Sequence, residues 1–287
     1  MTVALPPADE LAVAGRRVRC RIAGEGPPVV LLHGIGRTLE DFTALHAALA
    51  RDHRVLGVDL PGHGGSAPLD APHTLPVLAT AVAGFLDAAG VTGPVHLVGN
   101  SLGGAVAMRL AADQPARVAS LVLVNSAGFG REVTVALRVL AVRPIARLLL
   151  RPHPALARRT ERAIFFDPIY VTEERIATAL AAARQPHAAR VMLELVRSLG
   201  TWRGVRPEWR AELLAAVAAL DLPTLLVWGD RDLILPASHL TNARTRLPGA
   251  RHHLFPDTGH MPQIERAAEF EALVRRFWSE SGAAGPA

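Results

Sequence analysis

Val95-His-Leu-Val-Gly-Asn-Ser-Leu-Gly-Gly104 is the stretch that decides the fold, and Ala105-Val-Ala-Met-Arg-Leu-Ala-Ala112 continues it. Val95 to Val98 is an apolar run with β-branched residues, the mark of a buried strand. The residues from Gly104 onward are apolar at helical spacing, so Gly99-Asn-Ser-Leu-Gly103 lies between a strand and a helix. Strand, Gly-x-Ser-x-Gly and helix make the pattern of a nucleophile elbow. The glycines are a steric requirement: a Cβ at Gly99 or Gly103 would collide with the neighbouring strand or helix, and the turn strains the serine backbone. The Ser101 hydroxyl is then exposed at the C-terminal edge of a sheet, beside a helix N-terminus and the Leu102 amide.

Upstream, residues 17–23 alternate and read as a first strand, followed by a turn at Gly24-Glu-Gly-Pro-Pro28. Val29-Val-Leu-Leu32 is continuously apolar, as a central parallel strand covered on both faces must be. It runs into His33-Gly-Ile-Gly36. A helix is predicted from near Thr38 to just before Arg54, with Phe42, Leu45 and Leu49 on one face. Residues 54–60 form the next strand, ending in the loop Pro61-Gly-His-Gly-Gly-Ser66, and residues 75–89 form an apolar helix that Gly90 stops. Downstream, Pro115 ends the elbow helix and residues 118–125 form another buried strand.

Strands alternating with helices over residues 29–125 predict right-handed βαβ units in an α/β fold with a doubly wound, mostly parallel sheet. From Gly128 to about Ala219 the pattern is helical, with no strand. Strand patterns resume at 223–229 and 250–255, and a last amphipathic helix spans about 266–278, before a small polar tail that frays after Ser279. The predicted organisation is a core of residues 1–128 and 216–287, with a helical cap inserted at 129–215.

Composition bounds the function. A chain of 287 residues, half of them hydrophobic, suits one large domain or a core with a sizeable insertion. No apolar run is long enough to span a bilayer, and Arg143 and Arg147 interrupt the longest. The first ten residues lack the basic and apolar segments of a secretory signal, so a cytoplasmic location is expected. Cys20 is alone, so no intramolecular disulfide forms. All 31 basic residues are arginine and the net charge is +5. Beside so much alanine, that bias reads as codon composition. No basic run carries interleaved aromatics, so the expected partner is a small-molecule substrate and not a nucleic acid.

A serine hydroxyl is a poor nucleophile until a base takes its proton, and the base needs an orienting acid. Asp230-Arg-Asp232 follows the strand ending at Trp228-Gly229, and Gly259-His260 follows the strand ending at Phe255. Ser101, Asp232 and His260 thus stand in the order nucleophile, acid, base that this architecture uses. Asp230 is the rival acid, and Asp257 reads as holding its loop. His252 and His253 fall within a strand and read as structural, whereas His33 and His63 brace loops. No histidine pair at i, i+4 joins a carboxylate, so no metal site is expected. The glycine-rich stretches lack a phosphate-cradling motif.

His33-Gly-Ile-Gly36, Asp59-Leu-Pro-Gly-His-Gly-Gly-Ser66, Gly99-Asn-Ser-Leu-Gly-Gly104, Trp228-Gly-Asp-Arg-Asp232 and Gly259-His260 together resemble, in order, the motifs of a capped α/β-hydrolase. The resemblance covers essentially the whole chain apart from the cap. It implies Ser101 as nucleophile, His260 as general base and Asp232 as orienting acid. It also implies an oxyanion hole made by the backbone N–H groups of Ile35 and Leu102. His33, Gly34, Gly36, Gly99, Asn100, Gly103 and Met261 support these groups. The implied reaction is hydrolysis of a carboxylic ester through an acyl-enzyme, with no cofactor. Serine at the elbow sets the chain apart from the haloalkane dehalogenase and epoxide hydrolase branches, which place aspartate there.

The Gly99–Gly104 elbow is also similar to that of carbon–carbon bond hydrolases acting on ring-opened aromatic metabolites, the vinylogous diketo acids. Those proteins carry tryptophan directly after the catalytic histidine, where this chain has Met261. Lactonase, thioesterase and cofactor-free perhydrolase chemistry stay open at this point. A ligand-binding module on the same fold would be expected to have lost a triad member or an oxyanion glycine, and none is missing. In some relatives the acid follows the strand that here ends near Asn125, an amide that cannot stabilise an imidazolium in the same way. Residues 129–215 hold 15 arginines against 8 acidic residues, a net +7 beside −2 for the remainder. Most of these arginines read as a solvated helical face. One or two facing the pocket would hold an anionic group on the substrate.

Overall fold

The computed structural model describes residues 4–142, 146 and 149–282. Arg143 and Arg147 lie outside that set. Among the described residues ten strands are present: β1 (Asp9–Val13), β2 (Arg16–Ala23), β3 (Pro28–Leu32), β4 (Arg54–Val58), β5 (Val95–Asn100), β6 (Val118–Val124), β7 (Gly200–Thr201), β8 (Gly204–Val205), β9 (Thr224–Gly229) and β10 (Arg251–Phe255). Eight of them form one sheet in the order β1-β2-β4-β3-β5-β6-β9-β10. Only the β1–β2 and β2–β4 pairings are antiparallel. From β4 to β10 every neighbour is parallel, as the α/β reading requires.

Parallel strands need helical crossovers, and those crossovers cover both faces of the sheet. The helices are α1 (Thr43–Leu49), α2 (Leu75–Ala88), α3 (Leu102–Asp113), α4 (Val135–Leu140), α5 (Pro154–Ile164), α6 (Glu173–Ala183), α7 (Ala188–Leu199), α8 (Pro207–Ala218), α9 (Ser238–Arg246), α10 (Pro262–Glu265) and α11 (Ala267–Glu280). Side chains of one strand point alternately to the two faces. Val30 and Leu32, Leu97, Leu121 and Leu123, and Leu226 and Trp228 therefore enter a core with α2, α3, α8 and α9. Val29 and Leu31, Val98, Val122 and Val124, and Leu225 and Val227 enter a second core with α1 and α11. This two-sided burial is why the central strands read as unbroken apolar runs.

Three details depart from the sequence reading. The sheet begins with β1, joined to β2 by Ala14 (φ +46°) and Gly15 (φ +75°). Two successive positive φ values make the tight hairpin turn, but Ala-Gly is a weaker signal than Asn-Gly. The helix predicted from Thr38 to before Arg54 divides into a 3₁₀ turn, Leu39–Phe42, and the shorter α1. The stretch from Gly128 to Ala219 is not wholly helical, because β7 and β8 pair as a two-residue antiparallel ribbon. Gly204 takes φ +117° there, and two residues are too few to show a period of two. Among the described residues, no helix is long and apolar enough to cross a membrane.

Burial holds several histidines in the neutral form. Burial, with the charge of Arg21, pushes His46 down to about 4, and burial with neighbouring His53 does the same for His96. Burial and adjacent His33 push His63 down to about 3. A base whose folded pKa is lowered takes up its proton in the unfolded chain first. Its contribution is present above the unfolded value of about 6.5 and is lost as pH falls toward the folded value. The urea midpoint should therefore fall between about pH 7 and pH 5, and His96→Gln should flatten that slope. A midpoint that stays flat over this range would contradict the assignment.

Candidate active site

The elbow is built by close backbone approach. A Cβ on Gly99 would stand 2.6 Å from the Gly104 nitrogen, one on Gly103 would overlap the Leu32 carbonyl oxygen, and one on Gly104 would overlap Ser126 Oγ. Only glycine lets β3, β5 and α3 meet at this distance. Ser101 itself sits at φ +55°, ψ −115°, a conformation that costs on the order of 1–3 kcal/mol for a residue with a Cβ. The Ser101 N–H donates to Val124 O at 3.0 Å, and Ser101 O accepts from Ala127 N at 3.0 Å. Ser101 is largely buried at the N-terminus of α3, where the helix dipole favours negative charge.

Asp232 and His260 come from the loops after β9 and β10. His260 Nδ1 and Asp232 Oδ2 are 2.7 Å apart, with both side chains buried. The other carboxylate oxygen, Asp232 Oδ1, accepts the amides of Ile234 at 2.7 Å and Leu235 at 3.0 Å. Asn125, at φ +43°, donates from Nδ2 to Asp232 Oδ2 at 2.6 Å. Asn100 Nδ2 donates to His260 O at 3.1 Å and so ties the histidine loop to the elbow strand. A fixed carboxylate at Nδ1 holds the proton on that nitrogen and leaves Nε2 as the acceptor. Among the described residues, no hydrogen bond joins His260 Nε2 to Ser101 Oγ. Such contacts are commonly long in unliganded sites and tighten with substrate.

The rival residues lie elsewhere. Asp230 accepts from Thr258 N at 3.3 Å and approaches Arg231 at 3.6 Å, and Asp257 pairs with the same arginine at 3.3 Å. His252 and His253 lie in β10. His33 accepts the Leu60 amide on Nε2 at 2.9 Å and donates from Nδ1 to Gly34 O at 2.8 Å. Burial lowers its pKa, so the neutral ring braces the loop after β3. His63 Nδ1 donates to Pro61 O at 3.1 Å. Among the described residues, no cluster of three or more His, Cys, Asp or Glu is placed to hold a metal ion.

A cavity of about 80 Å³ opens at Ser101. Ile35, Leu102, Ala127, Ile234 and Leu235 form one side, and residues between β6 and β9, including Leu137, Val196, Leu199 and Trp209, form the other. Ile35 and Leu102 line it, and among the described residues neither backbone N–H donates to another group of the chain. Among the described residues, Arg138, on α4, is the one charged residue in its lining.

Several residues that shape the site had no sequence signal. Arg37, directly after His33-Gly-Ile-Gly36, makes a bidentate pair with Asp41 (2.8 and 2.7 Å) and reaches buried Glu161 on α5. The end of α5 is fastened to the histidine loop, with His260 N donating to Ile164 O at 2.7 Å. Glu265 accepts the amides of Gly259 at 2.7 Å, Phe166 at 2.9 Å and Asp167 at 3.1 Å. Burial pushes its carboxyl above the usual range, against the pull of those amides. Met261, already named from the sequence as a supporting residue, packs with Ile164 and Phe165. These partners are distant in sequence, so spacing alone does not reveal them.

The alpha/beta hydrolase fold family model matches residues 27–267. The acetyltransferase component of the acetoin cleaving system of Cupriavidus necator is 35% identical over 92% of this chain and 67% of its own length. The meta-cleavage product hydrolase of Pseudomonas fluorescens superposes with a TM-score of 0.81 at 25% identity, covering 95% of this chain and 98% of its own. The esterase RhEst1 of a Rhodococcus species superposes with a TM-score of 0.76 at 26% identity, covering 96% and 99%. A model that spans most of the sheet, with the same architecture in solved relatives, fixes the family: the chain belongs to the alpha/beta hydrolases.

Proposed function

We propose that the protein is a serine hydrolase that cleaves a carboxylic ester through an acyl-enzyme. The observation that carries this reading is the buried His260–Asp232 pair (2.7 Å), set on the loops beside a serine held at φ +55°. In the proposed reaction Ser101 Oγ attacks the ester carbonyl carbon while His260 Nε2 takes its proton. The developing oxyanion accepts the Ile35 and Leu102 amides, where losing one such donor costs about 3 kcal/mol. Collapse breaks the bond to the alcohol oxygen, which leaves with the proton from His260. Water, deprotonated by the same nitrogen, then attacks the acyl carbon; the bond to Ser101 Oγ breaks, Oγ takes the proton back from His260, and the acid leaves. Asp232 keeps Nδ1 protonated and stabilises the imidazolium.

Residues 129–215 act in this reading as a cap, supplying one wall of the cavity. A volume of 80 Å³ is a few water volumes, which suits a short acyl chain better than a fatty one. A second reading, carbon–carbon bond hydrolysis of a vinylogous diketo acid, is favoured by the Gly99–Gly104 elbow and the meta-cleavage relative. Met261 stands against it.

Steady-state assays on p-nitrophenyl esters test both. Short acyl esters should be turned over faster than decanoate. Ser101→Ala should cut kcat by roughly 10³- to 10⁶-fold while the protein stays folded. Turnover of a 2-hydroxy-6-oxo-dienoate alone would favour the second reading, and undiminished activity in Ser101→Ala would sink both. Asp232→Asn should lose roughly 10⁴-fold, because the amide favours the wrong imidazole tautomer. Asn125→Ala, which removes one donor from that carboxylate, should lose less, and Asp230→Asn least. Asp230→Asn proving the most damaging would reassign the acid.

A further inference from the structure

We propose that Arg138 forms a carboxylate-binding subsite, so that the preferred substrate is an ester whose acyl chain ends in a carboxylate. This deepens the ester-hydrolase reading and rests on it. Among the described residues, the cavity at Ser101 is lined by apolar side chains, glycines and two hydroxyl residues, with Arg138 as the only charge. Arg138 Nε donates to Trp202 O at 2.9 Å, which fixes the guanidinium plane against the β7–β8 ribbon. Among the described residues, its two terminal nitrogens have neither a hydrogen bond nor an ion pair. Three other arginines of the same segment are ion-paired, Arg158 with Glu173 at 2.6 Å, Arg175 with Asp41 at 3.6 Å and Arg190 with Glu194 at 3.0 Å, whereas Arg131, Arg206 and Arg210 bond a backbone carbonyl through Nε as Arg138 does; what sets Arg138 apart is its place in the lining of the cavity at Ser101.

A guanidinium anchored through Nε presents its remaining N–H groups as a planar fork, which matches the two oxygens of a carboxylate. Ser101 and Arg138 border one cavity, so a short acyl chain bound at Ser101 can reach the fork. A carboxylate at the chain end meets the Arg138 cation, whereas a methyl group leaves that cation facing apolar atoms. The net +7 of residues 129–215 adds a field of the same sign but no geometry.

The test compares p-nitrophenyl hemiglutarate with p-nitrophenyl valerate, which share a leaving group and differ at the chain end. The wild-type kcat/KM should favour the hemiglutarate by about tenfold or more, mostly through KM, and added salt should reduce that ratio. R138Q should bring the ratio close to one. R184Q, which removes the same charge elsewhere in the segment, should leave the ratio as it is. Calorimetric titration with glutarate supplies a readout independent of turnover, with binding to the wild type lost in R138Q. If neither ester is cleaved but glutarate binds through Arg138, the ester reading fails and the subsite stands. Equal ratios in wild type and R138Q, together with glutarate binding unchanged by the substitution, would overturn the subsite.

Discussion

The close approach of β3, β5 and α3 around Ser101 is the contact on which the rest of the molecule depends. Gly99 faces the backbone of Gly103 and Gly104, and Gly103 faces the carbonyl groups of Leu32 and His33. No side chain fits at either place. The same contact positions the loop that leaves β3, since a Cβ on Gly34 would lie 3.3 Å from Ser101 Cβ. The fold and the candidate site therefore share one steric constraint. The strained serine is held by hydrogen bonds to Val124 and Ala127, both on the β6 side, so the sheet itself resists relaxation of the turn.

The segment between β6 and β9 is fastened to both loops that frame the site. Glu161 reaches Arg37 beside the loop after β3, while Ile164 and the Glu265 carboxylate bind the histidine loop. A Cβ on Gly259 would stand 2.6 Å from Ile164 O and 2.7 Å from Phe166 N, so the two chains run in backbone contact there. Buried pairs of this kind are weak evidence for stability but strong constraints on geometry, because removing one partner strands a charge. The wall of the cavity and the candidate base are thus mechanically coupled.

Much of this was legible in the sequence because the relevant signals are local. Val29–Leu32 is apolar without interruption, and Val95–Val98 and residues 118–124 are broken only by His96 and Ser120, which bond each other at 2.8 Å; two-sided burial produces that pattern. The loop bearing Asp232 follows a strand, Thr224–Gly229, that is buried throughout, whereas the loop bearing His260 follows β10, a largely exposed edge strand. What sequence could not supply depends on tertiary contact. Asn125 was legible only as a missing acid, yet its amide donates to Asp232 Oδ2 from a left-handed backbone position. Glu265 serves amides 98 and 99 residues away in sequence. The two-residue β7–β8 ribbon is too short to leave a periodic trace, and the partner it gives Arg138 is a backbone carbonyl that no composition records.

The central claim is that Ser101, strained at the elbow and served by His260, is the nucleophile. Its most direct measurement is mass-spectrometric mapping of the protein after reaction with a fluorophosphonate, which phosphonylates an activated serine. The account predicts one adduct, on the peptide containing Ser101, and none in Ser101→Ala. An adduct on another serine, such as Ser126 behind the elbow, with Ser101 left unmodified, would contradict it.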